Sequence, residues 1–225
     1  MQRYDFWQGF ETEPDAPPFS TRYPARMPDG RILHLPIRPL GDGEHALASL
    51  IVNQASFAVE SALAEALAER LRPEAPDVVA GLPTLGLTLA RAAAERLGHS
   101  RYVPLGTSRK FWYDEALAAD MTSITSPGAV KRLYLDPRML PLLDGRRVAL
   151  VDDVISTGRS IIAGLQVLDR AGITPVVIGA AMLQSDRWRP ALAARGMESR
   201  VRAVFATPML CRSGDGWLPP TQGAG

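Results

Sequence analysis

The sequence predicts an α/β protein built on a central, mostly parallel sheet of about five strands flanked by helices. Short apolar runs typical of buried strands recur along the chain and alternate with segments of helical periodicity. Such alternation is typical of parallel strands joined by right-handed helical crossovers. With 225 residues, a net charge of +1 and 46% hydrophobic residues, the chain is long enough to bury the core of one domain.

Residues 1–45 are predicted to form an arm outside the parallel sheet. The arm is rich in Pro, aromatic residues and Arg, and its segment Glu13–Pro18 is typical of a loop. Alternation over Arg31–Arg38 predicts a strand, and Pro36 within it predicts an edge position. A stripe of residues three or four positions apart then predicts a helix over Leu47–Leu71. The stripe consists of Val52, Ser56, Val59, Leu63, Leu67 and Leu71.

The predicted core follows this helix. Asp77–Leu82 is expected to be a short buried strand, and Leu87–Leu97 a helix that ends at Gly98. The further predicted elements are strands Arg101–Leu105 and Val148–Val151, a helix over Ser160–Arg170, and strands Pro175–Leu183 and Arg200–Phe205. An insertion, Gly106–Gly145, interrupts this rhythm, and long insertions in compact domains are commonly lids. The chain from Ser213 onward is expected to be a loose tail.

The segment Arg146–Ser160 is the most informative part of the chain. Its strand Val148–Val151 is followed by the adjacent acids Asp152 and Asp153, then by a loop of small hydroxyl residues and a helix. Open α/β sheets bind ligands at the carboxyl ends of their strands. Backbone N–H groups of Ser156–Ser160 suit a phosphate, and the carboxylates suit sugar hydroxyls or hydrated Mg²⁺. Packing alone gives no reason for two acids after a buried strand, so a sugar-phosphate site is favoured over an Asp-rich turn.

This segment resembles the phosphoribosyl-pyrophosphate (PRPP) motif of type I phosphoribosyltransferases. The motif has four apolar residues, two acids, two apolar residues, any residue, Thr, Gly, any residue, and Ser or Thr. The matching residues are Val148–Val151, Asp152, Asp153, Val154, Ile155, Ser156, Thr157, Gly158, Arg159 and Ser160. The resemblance, closest to adenine and purine enzymes, implies a type I phosphoribosyltransferase fold that joins a nucleobase to PRPP and releases pyrophosphate. It implies that Asp152 and Asp153 hold the ribose hydroxyls and Mg²⁺, while residues 154–160 bind PRPP.

The resemblance also implies a division of the chain into a core, a flexible loop and a small hood over the base. The expected division is 1–45 for the arm and part of the hood, 46–183 for the core with the flexible loop 106–145, and 184–225 for a C-terminal hood strand and loose tail. Family members are usually dimers, so a homodimer is expected.

A second anion site is predicted at the turn after strand Asp77–Leu82, where backbone N–H groups open the next helix. The turn consists of Pro83, Thr84, Leu85 and Gly86. In the resembling family, a loop here takes the pyrophosphate of PRPP. Adenine enzymes carry an Arg-Gly-Phe-like sequence there, whereas this turn has no Arg, so Thr84 and main-chain N–H groups would bind the pyrophosphate. A plain strand-to-helix turn is the alternative.

Basic residues of the insertion are candidates for contact with the diphosphate. Arg109 and Lys110 follow strand Arg101–Leu105 and resemble the Arg-Lys pair of purine phosphoribosyltransferases, where two cations suit a diphosphate. Lys110 and Lys131 are the two lysines among 25 basic residues, which favours a functional role over a solvated pair. Lys131 or Arg132 would reach the departing pyrophosphate from the flexible loop.

The acid and aromatic residues assigned to the nucleobase are weaker candidates. The implied proton acceptor is Asp114 or Glu115, and the aromatic residues Phe111–Tyr113 before them serve either packing or a dimer contact. Trp188 is expected to stack on the base. The rival stacking residues are Trp7, Phe10 and Phe19. Hypoxanthine–guanine enzymes place an Asp where Ser156 stands, which argues against their 6-oxopurine specificity.

Several function classes are disfavoured or kept as alternatives. A non-catalytic PRPP-binding regulator of nucleotide metabolism stays open, although residues 1–45 show no helix-turn-helix pattern. Balanced charge argues against nucleic acid as a partner, and no Gly-x-Gly-x-x-Gly motif supports a dinucleotide oxidoreductase. A PRPP synthetase would need a longer chain. The lack of a long apolar segment, and a single cysteine (Cys211), predict a cytoplasmic protein without a membrane anchor.

Overall fold

The computed structural model describes residues 5–121 and 131–220, which contain twelve strands and five α-helices. The strands are β1 (Arg22–Arg26), β2 (Ile32–Pro39), β3 (His45–Ala48), β4 (Val78–Gly81), β5 (Val103–Pro104), β6 (Ala118–Met121), β7 (Lys131–Tyr134), β8 (Val148–Ile155), β9 (Val177–Gln184), β10 (Val201–Thr207), β11 (Met209–Ser213) and β12 (Gly216–Leu218). The helices are α1 (Phe57–Leu71), α2 (Gly86–Arg96), α3 (Leu140–Leu143), α4 (Arg159–Arg170) and α5 (Arg189–Ala193).

The central sheet has the strand order β10-β9-β8-β4-β5, and all its pairs are parallel. This confirms the predicted five-stranded parallel sheet. Chain order runs outward from β4 to β5 on one side and from β8 through β9 to β10 on the other. The winding therefore reverses between β4 and β8, and the crevice at such a switch point is where open α/β sheets bind ligands.

Helices cover both faces of this sheet. Side chains of α1 and α2 pack with Val151 of β8 in one core, while side chains of α4 pack with Leu150 in a second. The predicted stripe is confirmed over α1, where Val59, Leu63, Leu67 and Leu71 are fully buried. The predicted helix start at Leu47 was wrong, because the Ser56 side chain accepts a hydrogen bond from the Val59 N–H and caps α1 there.

A second sheet, the antiparallel sheet, has the order β1-β2-β3-β11-β12. Its β2 lies inside the sheet, so the edge position predicted from Pro36 was wrong. Pro36 sits where the partner strands change: it is the last residue paired with β1, and pairing with β3 starts at Ile37. A missing N–H is tolerated at such a junction.

The chain from Ser213 to Leu218 is ordered as a strand pair, so the prediction of a loose tail was wrong for this stretch. Trp217 is 4% exposed and packs with Phe19, and the two residues exchange backbone hydrogen bonds of 2.7 and 2.8 Å. Burial of the Trp217 indole gives the tail the apolar contact that orders it. Residues 221–225 lie outside the described part of the chain.

The insertion contains the hairpin β6–β7, whose residues pack against α4. Lys131–Tyr134, within the predicted flexible loop 106–145, forms a strand. Residues 122–130 of that predicted loop lie outside the described residues. Within 5–121 and 131–220, no helix is both long and apolar enough to cross a bilayer.

Candidate functional site

Asp152 and Asp153 lie within β8 near its carboxyl end, since the strand continues to Ile155 beyond its predicted end at Val151. The two residues are only 6% and 7% exposed. The Asp153 N–H donates to Asp152 Oδ1 at 2.9 Å. No ion pair with a basic side chain is formed by either carboxylate in the described residues. The pair is therefore buried without a compensating cation.

Burial dominates the electrostatics of this pair. It raises the pKa of Asp152 well above its usual value, and the neighbouring charge of Asp153 raises it further. Burial also raises the pKa of Asp153, while hydrogen bonds from the Asp152 side chain and from backbone N–H groups oppose that rise. Two adjacent carboxyls of this kind are stabilised by hydroxyl donors or by a cation, because either compensates the charged form.

The loop after β8, residues 156–160, is a candidate anion site. Gly158 precedes α4 with a φ of +79°, and no side chain caps the helix, so the first-turn N–H groups of α4 are available to a ligand. A cavity of ≈ 90 Å³ opens here. Its lining consists of Asp152 and residues 154–161. This is about three times the share of one water molecule, which suits a single phosphate-sized group.

The turn Pro83–Gly86 places a second helix N-terminus next to the acids. It links β4 to α2, has a cis bond between Pro83 and Thr84, and leaves Thr84 and Leu85 exposed. No side chain caps α2 in the described residues. A Cβ on Gly86 would lie 2.7 Å from Asp152 Oδ1 and 2.8 Å from Asp152 Cα. Gly86 therefore lets the N-terminus of α2 contact the acidic end of β8.

The basic residues of the insertion are exposed and partly neutralised. Arg109 Nε lies 2.7 Å from Glu115 Oε1, and Arg132 pairs with Glu115 and with Asp120. Lys110 and Lys131 make no ion pair within the described part of the chain. Of the predicted Arg109–Lys110 pair, Lys110 is thus the residue without an ion pair in the described residues. Glu115 already binds two arginines, which weakens its candidacy as a proton acceptor.

Trp112, in the aromatic stretch at the start of the insertion, is held by contacts with Asp136 and Arg138. Trp112 Nε1 donates to Asp136 Oδ2 at 3.2 Å, and the Arg138 guanidinium lies 4.3 Å from the centre of the Trp112 ring. Hydrogen bonds from Arg138 and Trp112, with the charge of Arg138, lower the pKa of Asp136 to about 2. Phe111, next to Trp112 in the chain, stays exposed on the carboxyl side of β5.

The structure does not support the stacking role predicted for Trp188. Its side chain is 2% exposed and packs in the core with Leu192 and Met197, so neither face of the ring is open to a base. Trp7 and Phe19 are also buried, whereas Phe10 is half-buried under the Arg31 guanidinium. Aromatic character alone did not distinguish these core residues from ligand-stacking ones.

Arg187 is a further residue of this region that the sequence pattern did not indicate. Its Nη2 donates to Ser156 Oγ at 3.0 Å, which places its guanidinium beside the 156–160 loop. Arg187 lies outside the thirteen-residue motif and sits among many other arginines, so no local pattern distinguished it.

Comparison with known proteins identifies the family. Residues 52–204 match the family described as the phosphoribosyl transferase domain. The chain belongs to this family. The matched range contains the turn Pro83–Gly86, the 156–160 loop and both acids, and the match confirms the family resemblance drawn from the 148–160 motif.

Relatives of this chain include proteins named as enzymes and as regulators. The bifunctional protein PyrR of Streptomyces coelicolor is 33% identical over 112 residues, covering 49% of this chain and 54% of PyrR. The transcriptional regulator GfcR of Halobacterium salinarum is 33% identical over 121 residues, which are 53% of this chain and 51% of GfcR. The adenine phosphoribosyltransferase of Thermobifida fusca is 34% identical over 119 residues, 53% of this chain and 62% of that enzyme. The chain spans about half the length of the curated relatives it matches.

Solved structures confirm the type I phosphoribosyltransferase fold. The adenine phosphoribosyltransferase of Giardia lamblia complexed with 9-deazaadenine aligns with a TM-score of 0.60 and 17% identity, covering 77% of this chain and 93% of that one. The adenine phosphoribosyltransferase of Thermoanaerobacter pseudethanolicus aligns with a TM-score of 0.58 and 19% identity. The alignment covers 77% of this chain and 95% of that enzyme.

Proposed function

We propose that this protein is a Mg²⁺-dependent phosphoribosyltransferase that joins a purine-like nucleobase to PRPP and releases pyrophosphate. The observation that carries the proposal is the meeting of two helix N-termini at one acidic strand end. Gly86 at the start of α2 touches Asp152, and Asp152 also lines the cavity at the start of α4. Two anion sites separated by a pair of carboxylates match the order of groups in PRPP, which carries a phosphate and a diphosphate on one polyhydroxylated ring.

Each part of the site has a role in this proposal. The N–H groups of the 156–160 loop hold the 5-phosphate, and Asp152 and Asp153 accept hydrogen bonds from the ribose hydroxyls. Those hydroxyls compensate the buried carboxylates, whose pKa values are raised in the free protein. The turn Pro83–Gly86 and Lys110 hold the diphosphate.

Catalysis in this site rests on positioning and on charge. A ring nitrogen of the base attacks C1 of the ribose as the C1–O bond to pyrophosphate breaks. The bonding electron pair leaves with the pyrophosphate, and the proton of the attacking nitrogen passes to the pyrophosphate or to solvent. The N-terminus of α2 and Lys110 stabilise the charge that builds up on this leaving group. The two helix N-termini fix the sugar at both ends, so the reacting atoms are held in line.

The residues present fit a Mg²⁺ ion that is bound largely by substrate. Within 5–121 and 131–220, no group of three or more metal-binding side chains comes together. Mg²⁺ usually keeps several waters and takes one or two carboxylates together with substrate phosphates. Asp152 and Asp153 would supply those carboxylates. When bound, the ion would neutralise part of the diphosphate charge.

Relatives named as adenine phosphoribosyltransferases support the choice of a purine-like base. PyrR and GfcR among the relatives favour a second candidate, a PRPP-binding regulator that does not catalyse the transfer. The homodimer and the cytoplasmic location stay predictions.

A screen for pyrophosphate release tests the proposal. The protein is incubated with PRPP, Mg²⁺ and individual nucleobases, and pyrophosphate is measured. We expect release with a purine base, loss of at least a hundredfold in Asp153→Asn, and unchanged rates in Asp169→Asn, whose carboxylate pairs with Arg195 at the far end of α4. PRPP binding without release for any base would favour the regulator. Full activity of Asp153→Asn would remove this site from the mechanism.

A further inference from the structure

Arg187 is tied to the phosphate-binding region by two hydrogen bonds. Its Nη2 donates to Ser156 Oγ at 3.0 Å and its Nε donates to Ser185 Oγ at 3.1 Å. Ser185 is itself buried and its N–H donates to the Thr207 carbonyl at 2.8 Å, which anchors this tether in the β9–β10 part of the sheet. The guanidinium is therefore held at a fixed place beside the 156–160 loop.

The two tethers leave one edge of the guanidinium unused. An arginine has five N–H donors, one on Nε and two on each terminal nitrogen. The serines take donors from Nε and Nη2, so the edge formed by Nη1 and Nη2 keeps three N–H groups, and Nη1 has no partner in the described residues. This edge has the forked geometry with which arginine binds carboxylate or phosphate in a bidentate manner.

The charge of Arg187 is also uncompensated. Both of its partners are neutral hydroxyls, and no carboxylate pairs with it in residues 5–121 and 131–220. Arg189, two positions later, is compensated instead. Its Nε lies 2.7 Å from Asp186 Oδ1, and its Nη1 lies 2.7 Å from Glu198 Oε1. An exposed arginine oriented by two hydroxyls, with a free fork and no counter-ion in the described residues, is available to an anionic ligand.

Ser156 opens the loop that lines the ≈ 90 Å³ cavity at the start of α4. We propose that Arg187 is a side-chain ligand of the phosphomonoester bound in this cavity, a role that rests on the proposed function. Main-chain N–H groups at a helix N-terminus supply about half a positive charge, whereas a phosphomonoester carries nearly two negative charges at neutral pH. The lining already includes Arg159, and Arg187 adds a second full positive charge beside the cavity through its contact with Ser156.

Direct binding of ribose 5-phosphate by calorimetry tests this role. We expect Arg187→Gln to bind about 10- to 100-fold more weakly than the unaltered protein, the range for losing a charge-assisted hydrogen-bond pair. Arg187→Lys should recover part of the loss, because it keeps the charge but not the fork. The matched control is Arg189→Gln, whose affinity should change by less than about twofold.

Kinetics separate ligand binding from a structural role. Arg187→Gln should raise KM for PRPP with little change in kcat and in melting temperature. Ser185→Ala, which removes one tether and keeps the charge, should have a smaller effect than Arg187→Gln. A lower melting temperature with unchanged affinity for ribose 5-phosphate would make Arg187 merely structural. A change in affinity for the base alone would move Arg187 from the phosphate to the base and overturn the assignment.

The outcome for Arg187 is distinguishable from the outcome for the proposed reaction. If ribose 5-phosphate binds in an Arg187-dependent way but no base gives pyrophosphate, the inference stands and the enzymatic function fails. If the unaltered protein and Arg187→Gln bind ribose 5-phosphate equally well, the inference alone fails. If the unaltered protein does not bind ribose 5-phosphate, both fail.

Discussion

Replacing Gly86 with Ala tests the close approach of α2 to the acidic strand. The added Cβ would lie 2.8 Å from Asp152 Cα, a backbone atom, and 2.7 Å from Asp152 Oδ1. Ordinary carbon contacts are about 3.5–4.0 Å, so the helix must move outward by roughly 1 Å. Overpacking of this kind costs about 1–3 kcal/mol. At about 2–4 °C per kcal/mol for a chain of this size, we expect Gly86→Ala to lower the melting temperature by roughly 2–12 °C.

The same displacement of α2 should lower the rate of pyrophosphate release by a larger factor than its modest effect on melting temperature would suggest. A shift of about 1 Å in a positioning element costs on the order of a hundredfold in rate. The assays are thermal unfolding and pyrophosphate release at varied PRPP. Gly41→Ala is the matched control, because a Cβ at Gly41 meets nothing within 4 Å and the backbone there is not left-handed. Wild-type melting temperature and kinetics for Gly86→Ala would refute the argument that glycine is required at this contact.

Three further predictions concern charges near the site. Lys110→Ala should raise KM for PRPP about tenfold, the cost of one charge-assisted hydrogen bond, and an unchanged KM removes Lys110 from the diphosphate site. The raised pKa of Asp152 means that the folded protein binds more protons than the unfolded chain, so its contribution to stability falls as pH rises above about 4. Asp152→Asn should therefore raise the melting temperature of the ligand-free protein at pH 7 by a few degrees while abolishing activity; a lower melting temperature contradicts the buried-charge argument. The pKa of Asp136, lowered to about 2 chiefly by its hydrogen bond with Arg138, acts in the opposite direction: the stability it contributes is present above pH 4 and is lost between pH 4 and 2. Because the Arg138 side chain is largely exposed, solvent screening limits this contribution to about 1 kcal/mol. Denaturant titrations at pH 4 and pH 2 should show this fall in the free energy of unfolding, and the fall should be smaller in Arg138→Gln.

The sequence predicted the parts of the site whose chemistry is local. Asp152, Asp153 and the 156–160 loop belong to one strand, loop and helix start, so their spacing in the chain is close to their spacing in space. The turn Pro83–Gly86 was predicted for the same reason. Its contact with Asp152 was not, because that contact depends on the pairing of β4 with β8.

Features that depend on packing between distant segments were missed. Trp188 looked like a residue for ligand stacking, and its burial follows from where α5 packs against the α4 side of the sheet. Arg187 became a candidate only through its hydrogen bond to Ser156, which lies 31 residues earlier in the chain. The strand at Gly216–Leu218 is ordered by Phe19, which no local pattern around Trp217 could indicate. Alternation and turn signals describe neighbours in the chain, whereas these contacts are set by topology.

The antiparallel sheet constrains the order in which the protein can fold. Its β3 lies near the beginning of the chain, and its partner β11 lies near the end. During synthesis, β3 therefore leaves the ribosome with one hydrogen-bonding edge unpaired and must wait for nearly all of the parallel sheet to be made. An open edge is a template for pairing with other chains. A premature stop codon before Met209 should thus produce an aggregation-prone polypeptide even though the strands and helices of the parallel-sheet core are complete.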